Sequence, residues 1–354
     1  MQSMRRSNSW SLWILGSACL AAVLLLSQPQ SKLGLELAGW LLDKFSTVHV
    51  IFFSIIVEAL PFVLMGVLGA VLLEALVTPE FVRKILPKSW LPGILITGLL
   101  GVCFPFCECG LVPIVKKLIE KGVPTHLGVV MLLTVPIVNP IVGAATNYAF
   151  FSQPDIVVLR LGGAYVIAVM IGLITLGLWQ GKTILSRNGH TAHACSCGCD
   201  HGNDHDALRY RGHRSGHSSR FFQAVSHGQD EFFSIMRYLA IGALLAAMTQ
   251  VYFPREWLNL VGTHTEGSVG IMMLAAFFLS ICSGADAFVA NTFANTFTNG
   301  AIVAFLVYGP MIDLKNLLML RAVFKSSFVL YLLVLVSLFA FGYGVLINHW
   351  GVMR

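Results

Sequence analysis

Two stretches of this chain interrupt long apolar runs with thiols, carboxylates and glycines, at matching places in its two halves. The first reads GVCFPFCECGLV over 101–112 and is followed, 29 residues after Cys107, by Pro136 in TVPIVNP. The second reads SICSGADAFV over 280–289 and is followed, 28 residues after Cys282, by Pro310 in YGPMIDL. FFSI at 52–55 recurs at 232–235, so three landmarks keep an offset of 174–180. Lipid offers no hydrogen bonds to a backbone, so a break at membrane depth has to be buried in protein or line a wet cavity. Internal duplication with polar midpoints is the pattern of a secondary transporter.

Composition excludes a soluble domain, because 56% hydrophobic residues against 11% charged in 354 cannot all be buried in one. The expected fold is an all-α polytopic membrane protein made of two inverted repeats. About seven full spans of roughly 20 residues fit at 10–27, 47–76, 126–150, 156–180, 231–253, 300–320 and 326–347. Residues 90–121 and 267–298 read as two re-entrant or broken helical hairpins of opposite orientation, or as two pairs of short complete spans. The expected organisation is an N-terminal anchor and outer loop (1–46), a first repeat (47–180), a loop (181–230), a second, inverted repeat (231–347) and a short tail (348–354). Arg5 and Arg6 before the first apolar run resemble a secretory signal, but SQPQ offers no small-x-small cleavage site, so this segment reads as an uncleaved anchor.

Basic residues set the orientation. With the N-terminus in the cytoplasm, Arg5/Arg6, Arg83/Lys84/Lys88, Lys116/Lys117/Lys121, six residues of the 181–230 loop and Lys315/Arg321/Lys325 lie inside, 17 of 23. Lys32, Lys44, Arg160, Arg255 and Arg354 fall outside. The net charge of +6 is then an insertion signal that requires no nucleic-acid partner. A multi-pass protein of the cell (inner) membrane follows, its loop cytoplasmic and its C-terminus outside.

The breaks mark the expected pathway. Cys103, Cys107, Glu108, Cys109 and Gly110 cluster at the first; Cys282 and Asp286 cluster at the second, with Asn291 in the polar run behind it. Pro136 with Asn139, and Pro310 with Asp313, come from the spans that follow and are expected to face the same midplane site. Thiols spaced C-x3-C-x-C around a carboxylate offer soft donors for Zn(II), Cu(I) or a trivalent arsenical, whereas sodium and magnesium favour oxygen cages. Glu108 and Asp286 are candidate proton carriers. Inert packing is the competing account of any one sulfur, since free Cys packs as a small hydrophobe. Glu58, Glu74 and Arg237 read as structural groups near helix ends.

The 181–230 loop holds seven of eleven His and three of eight Cys, with too few large apolar residues to form a core. His193, His201 and His205 with Cys195, Cys197 and Cys199 read as a loose metal-collecting set, since C-x-C-x-C differs from the C-x2-C knuckle of closed zinc sites. No cofactor is required. Zn(II) or Cu(I) enters as solute or loop ligand.

An enzyme is not expected. GLWQGKT at 177–183 lacks the glycine spacing of a phosphate loop and ends an apolar span, and no hydrolase elbow, dinucleotide fingerprint or H-E-x-x-H helix is present. A membrane-embedded thiol redox or assembly subunit is the alternative of a different class.

PFCECGLVPIVKKLIEKGVP (105–124) with VPIVNPIV (135–142), and SGADAFVANTF (283–293) with YGPMIDLKN (308–316), resemble the signature of the ArsP/YraQ-type predicted permeases over roughly 47–345. The resemblance implies a multi-pass permease, with one branch of the family exporting trivalent organoarsenicals and another linked to copper and zinc efflux. It also implies, for some members, a second, smaller membrane subunit; a homo-oligomer is a further expected assembly. The family motif maps onto Cys107, Cys109, Gly110 and Pro113, with Glu108 where other members often carry Ser. The expected function is efflux of a soft metal ion or metalloid by alternating access, with an organic solute such as an organoarsenical as the alternative.

Overall fold

The computed structural model describes residues 32–76, 90–102, 106–179, 184–185, 217–252 and 265–350. Among these the chain is helical without a strand: α1 Lys32–Leu76, α2 Trp90–Leu99, α3 Glu108–Glu120, α4 Thr125–Thr134, α5 Pro140–Ala149 and α6 Asp155–Trp179 in the first half. The second half holds α7 His217–Tyr252, α8 Thr265–Leu279, α9 Asp286–Thr292, α10 Asn299–Met311, α11 Leu314–Val323 and α12 Ser326–Trp350. Both halves run in the same order: long helix, short helix, break, short helix, broken pair, long helix. The chain divides into two compact units, Met1–Phe53 and Ser54–Arg354. The first contributes the N-terminal part of α1, and the second carries the other described elements.

Five helical segments are long and apolar enough to cross a membrane: Leu42–Glu74, Asp155–Trp179, Glu231–Tyr252, Asn299–Val323 and Ser326–Trp350. Each corresponds to an expected span, and the protein is an all-α, multi-pass membrane protein. The expected span at 10–27 lies outside the described residues. The one expected at 126–150 is broken at its middle into two helices of ten residues, each about 15 Å long. Pro136 has no N–H with which to continue α4, and Asn139 opens a new helix by accepting from the N–H groups of Ile141 and Val142, with Pro140 at the first helical position. The same break recurs at 311–314, where Pro310 precedes the end of α10 and Asp313 caps α11 by accepting from Asn316 N. Among the described residues the hairpin regions hold helices of 7–15 residues, shorter than a typical full span.

At the centre lies α10, buried from Gly300 to Met311 and packed by α8, α12 and α6. An all-round apolar helix belongs at such a core position. Outer helices leave apolar rows uncovered, as Leu330, Val334 and Leu338 do along α12, which suits lipid contact. Sharp turns use local chemistry: Gly122 takes φ +99 just past α3, where a side chain would be strained.

Candidate functional site

Both breaks reach one cavity of about 400 Å³. The first contributes Phe106 and Cys107, the second Cys282, Ser283, Gly284 and Ala285, and α5 supplies Asn139, Ile141 and Val142. Glu58 and Phe62 on α1 and Phe288 on α9 complete the lining. Ser280, where the second break opens, sits at φ 47, a conformation rarely adopted by a residue with a side chain and typical of sites where backbone strain is held in place by packing. Its hydroxyl is turned back onto the carbonyl of Phe277.

Successive positions on a helix point about 100° apart, and the CEC triplet shows the effect. Cys107 lines the cavity, and both it and Cys109 are buried in one cluster with Ala59 and Val63 of α1 and Ile235 and Leu239 of α7. Glu108, 3% exposed, reaches Lys315 of α11, its Oε1 lying 3.1 Å from the ammonium. Asp313 Oδ2 is 3.7 Å from the same ammonium. At the second break Asp286 Oδ2 accepts from Arg160 at 2.7 Å; this guanidinium also donates to Thr146 Oγ1 at 2.7 Å and to the Ser283 carbonyl at 3.0 Å. Each acid stands in the first turn of its helix, where the dipole favours a negative charge. Glu108 Oε2 and Asp286 Oδ1 are buried and have no hydrogen-bond partner among the described residues.

Arg160 and Lys315 are corrections to the orientation count. Both were assigned to opposite faces of the membrane, yet they are 0% and 4% exposed and neutralise acids in the interior. The sign of the bias survives without them. Their signal in the sequence is position: each sits inside an apolar run, and buried acids need partners. Glu58, read from the sequence as a structural group near a helix end, lines the cavity. Glu74 pairs with Lys117, in keeping with a structural group.

Of the other expected pathway residues, Gly110 lies against the Phe62 carbonyl, Pro113, Pro136 and Pro310 are buried in or beside helices, and Asn291 is exposed on α9 outside the cavity lining. Cys103 and the whole set His193, Cys195, Cys197, Cys199, His201 and His205 lie outside the described residues. Among the described residues no three His, Cys, Asp or Glu side chains form a group able to hold a metal ion.

A family model described as a predicted permease, ArsP_1, matches residues 44–349. The chain belongs to this permease family. It is 40% identical over 280 residues to a Streptococcus mutans protein named as a candidate subunit of a two-component membrane permease complex, covering 79% of this chain and 88% of the relative. It is 38% identical over 295 residues to the UPF0718 protein YcgR of Bacillus subtilis, covering 82% and 93%. No solved structure matches it. The matched region of the permease takes in both breaks and the cavity between them, together with the two ion-paired centres.

Proposed function

We propose that this permease moves a soft, thiol-seeking metalloid species through the cavity between the two breaks, by alternating access and in the outward direction. The observation that carries this reading is the lining: one thiol from each break, Cys107 and Cys282, in a cavity whose other walls are largely apolar, with Phe62, Phe106, Ile141, Val142 and Phe288. Thiol donors select soft solutes, and apolar walls favour a neutral species over a bare cation. The repeated element order supports two inverted repeats rocking about this point. Basic clusters on 83–88 and 116–121 support a cytoplasmic N-terminus in the cell membrane. The name of the Streptococcus relative supports a second membrane subunit as partner.

The test is flux into everted membrane vesicles of arsenite, methylarsenite, Zn(II) and Cu(I), comparing the parent with Cys107→Ala and Cys282→Ala. Uptake of a metalloid by the parent is expected, falling about tenfold or more in each variant, the effect of losing an interaction of ~1.4 kcal/mol. Equal flux in parent and variants would remove the thiols from the pathway. A second reading is favoured by Cys107 and Cys109 standing two residues apart in one buried cluster, which suits a redox dithiol. It predicts a phenotype that follows the disulfide state, with no solute flux.

A further inference from the structure

The two breaks are built alike except in charge. Behind each cavity thiol a helix begins with an acid, and each acid is held by a base from the opposite half. Arg160 and Asp286 balance one to one. In the other centre Lys315 faces two carboxylates, Glu108 at 3.1 Å and Asp313 at 3.7 Å, all three groups at most 4% exposed. With the ammonium committed to the nearer Glu108, Asp313 is the surplus acid. An unbalanced ionised carboxylate is costly in an apolar interior, so such a group exchanges a proton when its surroundings change.

Capping does not require that charge. Asn139 occupies the matching place in the first half, three residues after Pro136 as Asp313 is three residues after Pro310. Its neutral amide oxygen opens α5 by the same kind of backbone bond that Asp313 Oδ1 makes to Asn316 N at 2.6 Å. Asn and Asp are about equal as helix caps. A carboxylate at 313 therefore does something that an amide in the same position does not.

We infer that Asp313 is the coupling-proton carrier of this permease, taking a proton on Oδ2 while Lys315 is held by Glu108 and releasing it when the ammonium turns toward Asp313. No other bond is made or broken; the proton moves between Oδ2 and water in the pathway. The groups facing this centre are Lys315 and the Asn316 amide on α11, Glu108 on α3 and the Ser280 hydroxyl of the second break. Cys109 is buried next to Glu108 on α3, and Cys282 and Glu58 line the cavity.

The inference rests on the permease reading, so its first test needs no solute. Infrared difference spectra of the purified full-length protein, taken between mildly acidic and mildly alkaline buffer, are expected to show a protonated-carboxyl stretch. That band is expected to vanish in Asp313→Asn and Asp313→Ser, both of which keep a neutral cap; unchanged elution and melting behaviour establishes that they fold. In vesicles, an imposed gradient of about one pH unit is expected to change metalloid accumulation about tenfold in the parent, for one proton per solute. In Asp313→Asn the ratio with and without the gradient is expected to fall to near one. A band that persists in both variants, or accumulation that follows a sodium gradient instead, overturns the assignment. A band lost from the variants while no metalloid moves keeps the proton at Asp313 and counts against the cargo alone.

Discussion

A fully buried guanidinium needs partners for its donors, and Arg160 spends its two terminal nitrogens on Asp286, Thr146 and the Ser283 carbonyl, while Nε has no partner among the described residues. Arg160→Leu leaves Asp286 charged and unpaired in the interior, which is expected to destabilise the protein by about 3–5 kcal/mol. Arg160→Leu with Asp286→Leu removes both charges and is expected to recover most of the loss; thermal unfolding followed by size-exclusion chromatography would measure it. A double variant no more stable than the single one would mean that the contacts to Thr146 and Ser283 dominate. The acids of these pairs were legible in the sequence, because Glu108 and Asp286 interrupt apolar runs beside thiols. Their partners were not. Arg160 stands 126 residues from Asp286, and a basic residue near the end of a span reads equally well as a surface group that fixes orientation. Charge counting along a chain carries no information about which distant elements fold together.

At the scale of elements, proline and the caps decided more than hydrophobicity did. Residues 126–150 are apolar enough for a span, yet Pro136, Asn139 and Pro140 carry the stop and start signals of two separate helices. Hydropathy measures how well side chains suit lipid, and says nothing of the backbone hydrogen bonds a proline removes. Helix contact adds a second constraint that no pattern announces: α1 meets α3 backbone to backbone, where a Cβ at Gly110 would stand 2.5 Å from the Phe62 carbonyl and one at Gly66 would meet Gly110. Small residues permit such approach between membrane helices. Gly110→Ala is therefore expected to cost about 1–3 kcal/mol by overpacking and to lower the melting temperature. Gly69→Ala, whose Cβ would meet only the Ile114 side chain at 3.4 Å, is expected to melt like the parent. Similar melting of both variants would show that α1 is free to move away from the first break.

Over the whole molecule, the halves are joined at more than the cavity. Lys116 of α3 donates to Glu231 of α7 at 2.9 Å, while Lys121 donates to the last carbonyls of α1 at Leu73 and Glu74. Lys116→Glu is expected to cost about 1–3 kcal/mol as a lost charge-assisted bond. Adding Glu231→Lys is expected to restore the melting temperature, and failure of that rescue would show that the pair is incidental. The duplicated plan of the molecule was legible because its landmarks keep a constant offset; the crossing of each break to a base in the other half was not, since it is a property of packing. That crossing bears on how the protein is made. In both centres the charge of the first half waits for its partner: Arg160 precedes Asp286 by 126 residues, and Glu108 precedes Lys315 by about two hundred, a wait on the order of 10–40 s at typical elongation rates. Until then the first half holds an unmatched acid and an unmatched base that lipid rejects, so neither can settle in the bilayer until the second half arrives to receive it.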